Sequence, residues 1–125
     1  MVEAVLSPSK LETYARTARA RAQARRKQLE ARREQAWQVA RRAADVLREQ
    51  YGATKVVVFG SLRHPFLFHK RSDIDLAAWG IHERDYYRAV GTLLGLDVKF
   101  EVDLIEAEFA RPALEALIER EGIAL

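Results

Sequence analysis

At 125 residues, 49% of them apolar, the chain is sized for a single domain with a modest core. It has no cysteine, which excludes disulfides and thiolate metal sites, and no apolar run near the roughly 18 residues of a membrane span. The net charge of +3 conceals an asymmetry: residues 1–50 carry twelve Lys/Arg against six Asp/Glu, and residues 51–125 carry nine against twelve.

The first ten residues, MVEAVLSPSK, hold too short an apolar run, with an acid inside it, for a secretory signal. The expected location is cytoplasmic. Ser7-Pro8 predicts a helix start, with Ser7 as cap and Pro8 in the first turn. From Ser9 to Gln50 there is neither Gly nor Pro, and Ala, Arg, Gln and Glu dominate. All four are good helix formers, so residues 1–50 read as a helical arm and 51–125 as the domain it serves. One helix of that length would reach about 60 Å; two helices breaking within Gln23–Gln28 are the alternative. Leu29, Trp37, Ala40, Ala44 and Leu47, with Ala36, Val39, Ala43 and Val46 beside them, form an apolar face expected to pack on a sheet. The first half of the arm has only Leu11, Tyr14 and alanines to bury, and is expected to project or to pair with a partner helix. Gly52 reads as the helix C-cap.

Lys55–Phe59 is expected as the first strand and Asp73–Trp79 as the second. A helix over about Glu83–Leu94, closed by Gly95, precedes a third strand at Phe100–Ile105. There Phe100, Val102 and Leu104 share one face, and Glu101, Asp103 and Ile105 the other. A last helix spans about Pro112–Arg120, and Ile123-Ala124-Leu125 can add an edge strand. This order predicts an α/β (α+β) fold with a small mixed sheet behind a long N-terminal helical arm.

The chemistry concentrates in Val56–Leu76, where a β-branched run stops at Gly60-Ser61 and Asp73-Ile74-Asp75 opens the next apolar run. Alternation turns Asp73 and Asp75 to one side, where two carboxylates repel unless a cation lies between them. An acidic site also needs a cation before it can hold a triphosphate. Two-metal chemistry at a phosphate needs several carboxylates converging on two cations about 4 Å apart. Asp103 supplies the third if its strand lies beside the second and in register; Glu101, on the same strand face, competes for that place. Gly60 lets the backbone approach a phosphate, and Ser61 offers a hydroxyl and an N–H.

Gly60-Ser61, the spacer Leu62–Ser72, Asp73-x-Asp75 and Val102-Asp103-Leu104 together resemble the polymerase-β-type nucleotidyltransferase superfamily. Within it they resemble the minimal nucleotidyltransferases, small prokaryotic proteins commonly paired with a HEPN-domain toxin. The resemblance covers roughly Gln50–Leu125. Arg63-His64-Pro65 stands where relatives often carry a small, glycine-containing run. The resemblance implies that Asp73 and Asp75 bind two Mg2+ ions, and that Asp103 binds the catalytic one and accepts the acceptor's proton. It assigns Gly60 and Ser61 to the β and γ phosphates. The implied reaction moves AMP from ATP to a hydroxyl, a tyrosine of the cognate HEPN ribonuclease toxin, and so makes this chain its antitoxin in a hetero-oligomer. The alternative is a non-catalytic antitoxin that occludes its partner.

Arg63, His64, His69, Lys70 and Arg71 crowd the spacer and are candidates for phosphate or acceptor contact. His82 reads as a solvated turn residue. Trp79, Tyr86, Tyr87, Phe66 and Phe68 read as core or loop-packing residues. The arginines of the arm (Arg16, Arg19, Arg21, Arg25, Arg26, Arg32 and Arg33, with Lys27) could bind a phosphate backbone but read as a solvated helix face, so nucleic acid is not the expected partner.

Overall fold

Ser7 Oγ accepts the Lys10 N–H at 3.3 Å and Pro8 fills the first turn, so the first helix begins where the Ser-Pro pair places it. In this computed structural model, which describes residues 7–125, the helix α1 (Pro8–Tyr51) runs unbroken for 44 residues, about 66 Å. There is no break within Gln23–Gln28. The secretory-signal reading rests largely on residues 1–6, outside the described residues. Gly52 takes φ +72° and its N–H bonds Leu47 O, ending the helix.

Among the described residues, α1 packs against the core of the domain from Leu29 onward. Ala36, Val39, Ala40, Ala43, Ala44 and Leu47 are buried, and Leu29, Trp37 and Val46 pack at the margin. Alanine dominates this stripe, which lets the helix axis lie close to the sheet. The turns before Leu29 project, leaving Leu11 and Tyr14 exposed.

The sheet holds β1 (Lys55–Phe59), β2 (Ile74–Trp79), β3 (Val102–Glu106) and β4 (Ile123–Ala124), in the order β3-β2-β1-β4. β1 pairs antiparallel with β2 and β4, and β2 pairs parallel with β3. The parallel pair needs a crossover, which α2 (Tyr86–Leu94) supplies after a 3-10 turn at Glu83–Asp85. α3 (Pro112–Glu121) returns the chain to the edge strand β4.

Val56, Val58, Ile74, Leu76, Val102 and Leu104 face α1 and α2 in the main core, while Val57, Phe59 and Ala77 face Ala107 and Ile118 on the other side. β3 begins two residues later than Phe100 and runs on to Glu106. Phe100 is buried in the main core under the Arg32 guanidinium, and the Glu101 carbonyl accepts the Ile74 N–H at 2.9 Å. β2 likewise begins one residue later than Asp73, at Ile74. Among the aromatics, Phe68 is buried, but Phe66 is 99% and Tyr87 84% exposed, so neither of these two packs as expected. No helix of the described residues is long and apolar enough to cross a membrane.

Candidate active site

β1 ends because Gly60 adopts φ +76°, a left-handed conformation that favours glycine. A Cβ at this position would overlap Asp75 Oδ2 and lie 3.2 Å from Asp75 Cγ, so the turn and the carboxylate share one small space. Gly60–Arg63 forms a single 3-10 turn, anchored by the fully buried Leu62. Arg33 of α1 donates its Nε–H to Leu62 O at 3.1 Å and an Nη–H to Arg63 O at 3.5 Å. The turn is therefore fastened to the arm helix. His64 Nε2 lies 2.5 Å from Glu121 Oε1, tying the following loop to the end of α3. That hydrogen bond, with the charges of His64, Arg120 and Arg63, holds the Glu121 carboxyl below its usual range.

The parallel register sets Asp75 opposite Asp103 and Ile74 opposite Val102. This face of the sheet is apolar at Phe59 and Ala77 and turns acidic at Asp75 and Asp103. Asp73, Glu101 and Asp103 each place a carboxylate oxygen within 4.8 Å of the other two. Glu101 thus joins Asp103 instead of replacing it. Asp75, between β1 and β3, is half-buried, and its pKa is pushed up to about 6 by that burial, then by Asp103 and Asp73. Asp103 is more open; partial desolvation and the charge of Asp73 raise it too. Among the described residues none of these four carboxylates is in an ion pair. Four unpaired oxygen donors at one sheet end fit a hard divalent cation such as Mg2+.

The basic spacer divides. Arg63 and His64 turn toward the body of the domain, with Arg63 Nε buried. His69 Nδ1 accepts the Arg71 N–H at 3.2 Å, and the buried Ser72 Oγ accepts the His69 N–H at 2.9 Å. Ser72 therefore shapes the approach to Asp73, a role that its place at the end of a basic run does not disclose. Arg71 alone of the five lines a cavity of about 520 Å3 that abuts Asp73 and Glu101, with Arg32 and Lys99 also in its wall. Arg32 and Arg33, counted with the solvated arginines of the arm, turn inward: Arg32 lies 4.3 Å above the Phe100 ring and bonds Lys99 O at 3.1 Å. His82 stays exposed and caps its turn, its Nδ1 accepting the Arg84 N–H at 3.2 Å.

No protein-family model matches the sequence, and a search of curated proteins gives no match. Solved structures do match. A mutant of the toxin–antitoxin MntA–HpeT, with two aspartates two positions apart replaced by glutamate, gives a TM-score of 0.57 at 18% identity. The alignment covers 68% of this chain and 70% of that one. A toxin–antitoxin with AMP-PNP gives 0.56 at 21% identity, over 65% and 67% of the two chains. At these identities the likeness is one of fold. The chain shares with them an α/β fold, here a four-stranded mixed sheet behind a long N-terminal helix.

Proposed function

We propose that this chain transfers a nucleoside monophosphate, AMP from ATP, to a hydroxyl of a separate protein. By resemblance that protein is a HEPN ribonuclease toxin modified on a tyrosine, and this chain is its antitoxin. The observation that carries the reading is the in-register pairing of Asp75 with Asp103, next to Asp73 and Glu101. Two solved relatives in fold, both toxin–antitoxins and one holding AMP-PNP, support the nucleotide and the kind of partner.

Asp73, Asp75 and Asp103, with Glu101 in reach, would hold two Mg2+ ions, which when bound supply charge neutralisation for the triphosphate and its transition state. Gly60 brings the backbone of the turn close to the leaving phosphates, and Ser61 adds its hydroxyl and N–H. Leu62 and Arg33 hold that turn rigid, so its donors need not reorganise as charge develops. Asp103, the more open of the paired aspartates, is placed to take the proton of the attacking hydroxyl.

Incubation of the full chain with Mg2+, its partner protein and ATP labelled at either the α or the γ phosphate tests the reading. Label from the α position alone is expected on the partner, and none with Asp73→Ala/Asp75→Ala. No transfer, or transfer from the γ position, overturns it.

A second reading, neutralisation by occlusion, is favoured by the exposed first half of α1. Full neutralisation of the partner by Asp73→Ala/Asp75→Ala would establish it in place of catalysis.

A further inference from the structure

The face of α1 that packs on the domain does not end where the packing ends. At 3.6 residues per turn, Leu11, Ala15, Ala18 and Ala22 stand on the same side of the helix as Leu29, Ala36, Ala40 and Leu47, interrupted by Arg25. The helix is unbroken from Pro8 to Tyr51, so its free turns carry this stripe outward on the side that the domain occupies. Tyr14 borders the stripe, and Leu11 and Tyr14 are both more than half exposed.

A second apolar surface meets the stripe where it leaves the domain. On the segment between β1 and β2, Phe66 is almost fully exposed and Leu67 more than half. Pro65, Phe66 and Phe68 line a cleft of about 370 Å3 together with Leu29 and Arg33 of α1. A single exposed apolar residue needs no explanation, but a stripe that runs from a helix onto a neighbouring loop marks an interaction site. We infer that this corner docks an amphipathic helix of a separate protein, one with acidic residues along the edges of its apolar face. The inference stands apart from the transfer chemistry proposed above.

Charge selects the occupant. Pro8–Gln28 carries seven Lys/Arg against Glu12 alone. By the same helical spacing, Lys10 and Arg21 flank the stripe on one side, and Arg19 and Arg26 on the other. A helix laid along the stripe meets cations at both edges, and carboxylates placed there match them. The alanines of the stripe let its backbone come close. A second copy's arm would bring the same seven cations and be repelled. A nucleic acid would use the cations but has no need of the stripe or of Phe66. Within the cleft, Arg26 and Arg33 are offset by Glu30 and Glu34, so the apolar side chains set recognition there.

The test uses the full chain at physiological salt and three probes. One is a three-heptad peptide with leucine at positions a and d and glutamate at e and g. The others are a scrambled peptide of the same composition and a single-stranded RNA. Calorimetry is expected to show the patterned peptide binding about tenfold or more tighter than either other probe. Phe66→Ser/Leu67→Ser and Leu11→Ser/Tyr14→Ser are each expected to weaken it about tenfold. These four side chains are exposed, so both variants should melt within about 3 °C of the parent chain. Arg16→Ala/Lys27→Ala, on the back of the helix, should weaken the peptide less than about threefold. Equal binding of the scrambled peptide or of the RNA overturns the assignment, as does parental affinity in the Phe66→Ser/Leu67→Ser variant. Sedimentation of the chain alone as a dimer that Phe66→Ser/Leu67→Ser dissolves would give the corner to a second copy and overturn it equally.

Discussion

Gly60 and Asp75 occupy one space: the missing side chain of the first leaves room for the carboxylate of the second. Gly60→Ala should therefore disturb the site twice, by straining a residue at φ +76° and by displacing Asp75. The expected cost is about 1–3 kcal/mol in denaturant unfolding. It should come with a loss of about tenfold or more in AMP-PNP affinity, read by calorimetry. An alanine variant of parental affinity would separate the turn from the nucleotide.

Asp75 titrates from an ordinary 3.8 in the unfolded chain to about 6 in the fold. Between these values the folded state holds a proton that the unfolded state has released. Metal-free stability should thus fall as pH rises from about 4 through 6, and Asp75→Asn should remove that slope. In chelator at pH 8 the variant should melt about 2–6 °C above its parent, and its stabilisation by Mg2+ should shrink. Cation binding by the parent should strengthen as pH rises through 6. Thermal melts across pH, with chelator and with Mg2+, check all three.

Glu101 stands in the same oxygen cluster as Asp73 and Asp103, so Glu101 and Asp103 need not carry equal roles. Asp103→Asn is expected to abolish transfer, by about 10³-fold or more, because it removes a ligand and the proton acceptor together. Glu101→Gln is expected to cost about tenfold, mostly in cation affinity. Single-turnover rates at saturating Mg2+ distinguish them, and a reversed order would make Glu101 the principal third carboxylate.

The arm divides at Leu29, where packing against the domain begins. Between Pro8 and Gln28 it carries seven Lys/Arg and one acid, with Leu11 and Tyr14 exposed. Removing residues 1–28 should leave the melting temperature within about 3 °C, since none of the described residues among them, 7–28, is buried. Co-purification with the partner should fall sharply. An undiminished complex would place the partner surface on the domain instead.

Much of this architecture was legible because single residues mark it. Ser7-Pro8 and Gly52 bound α1, and β-branched Val56–Val58 announce β1. The period-2 reading put Asp73 and Asp75 on one face but left open whether the strand of Asp103 lay beside them; the parallel register sets Asp103 opposite Asp75. What stayed hidden depended on tertiary contacts. Arg32 and Arg33 have the same neighbours in sequence as the solvated arginines, yet their guanidinium groups reach Lys99, Leu62 and Arg63 in distant segments. Phe66 and Phe68 both read as core or loop-packing residues, but only Phe68 is buried: the turn that brings the Leu67 and Phe68 N–H groups back to His64 O leaves Phe66 and Leu67 exposed. β3 starts only at Val102, while Phe100 packs in the core under Arg32 of α1, a contact that strand propensity carries no record of.

The most direct measurement is anomalous diffraction from a crystal of the chain grown with Mn2+ and AMP-PNP. The account predicts anomalous peaks among Asp73, Asp75 and Asp103, with the β and γ phosphates against Gly60-Ser61. Peaks away from these carboxylates, or a nucleotide bound without any metal at them, would contradict it.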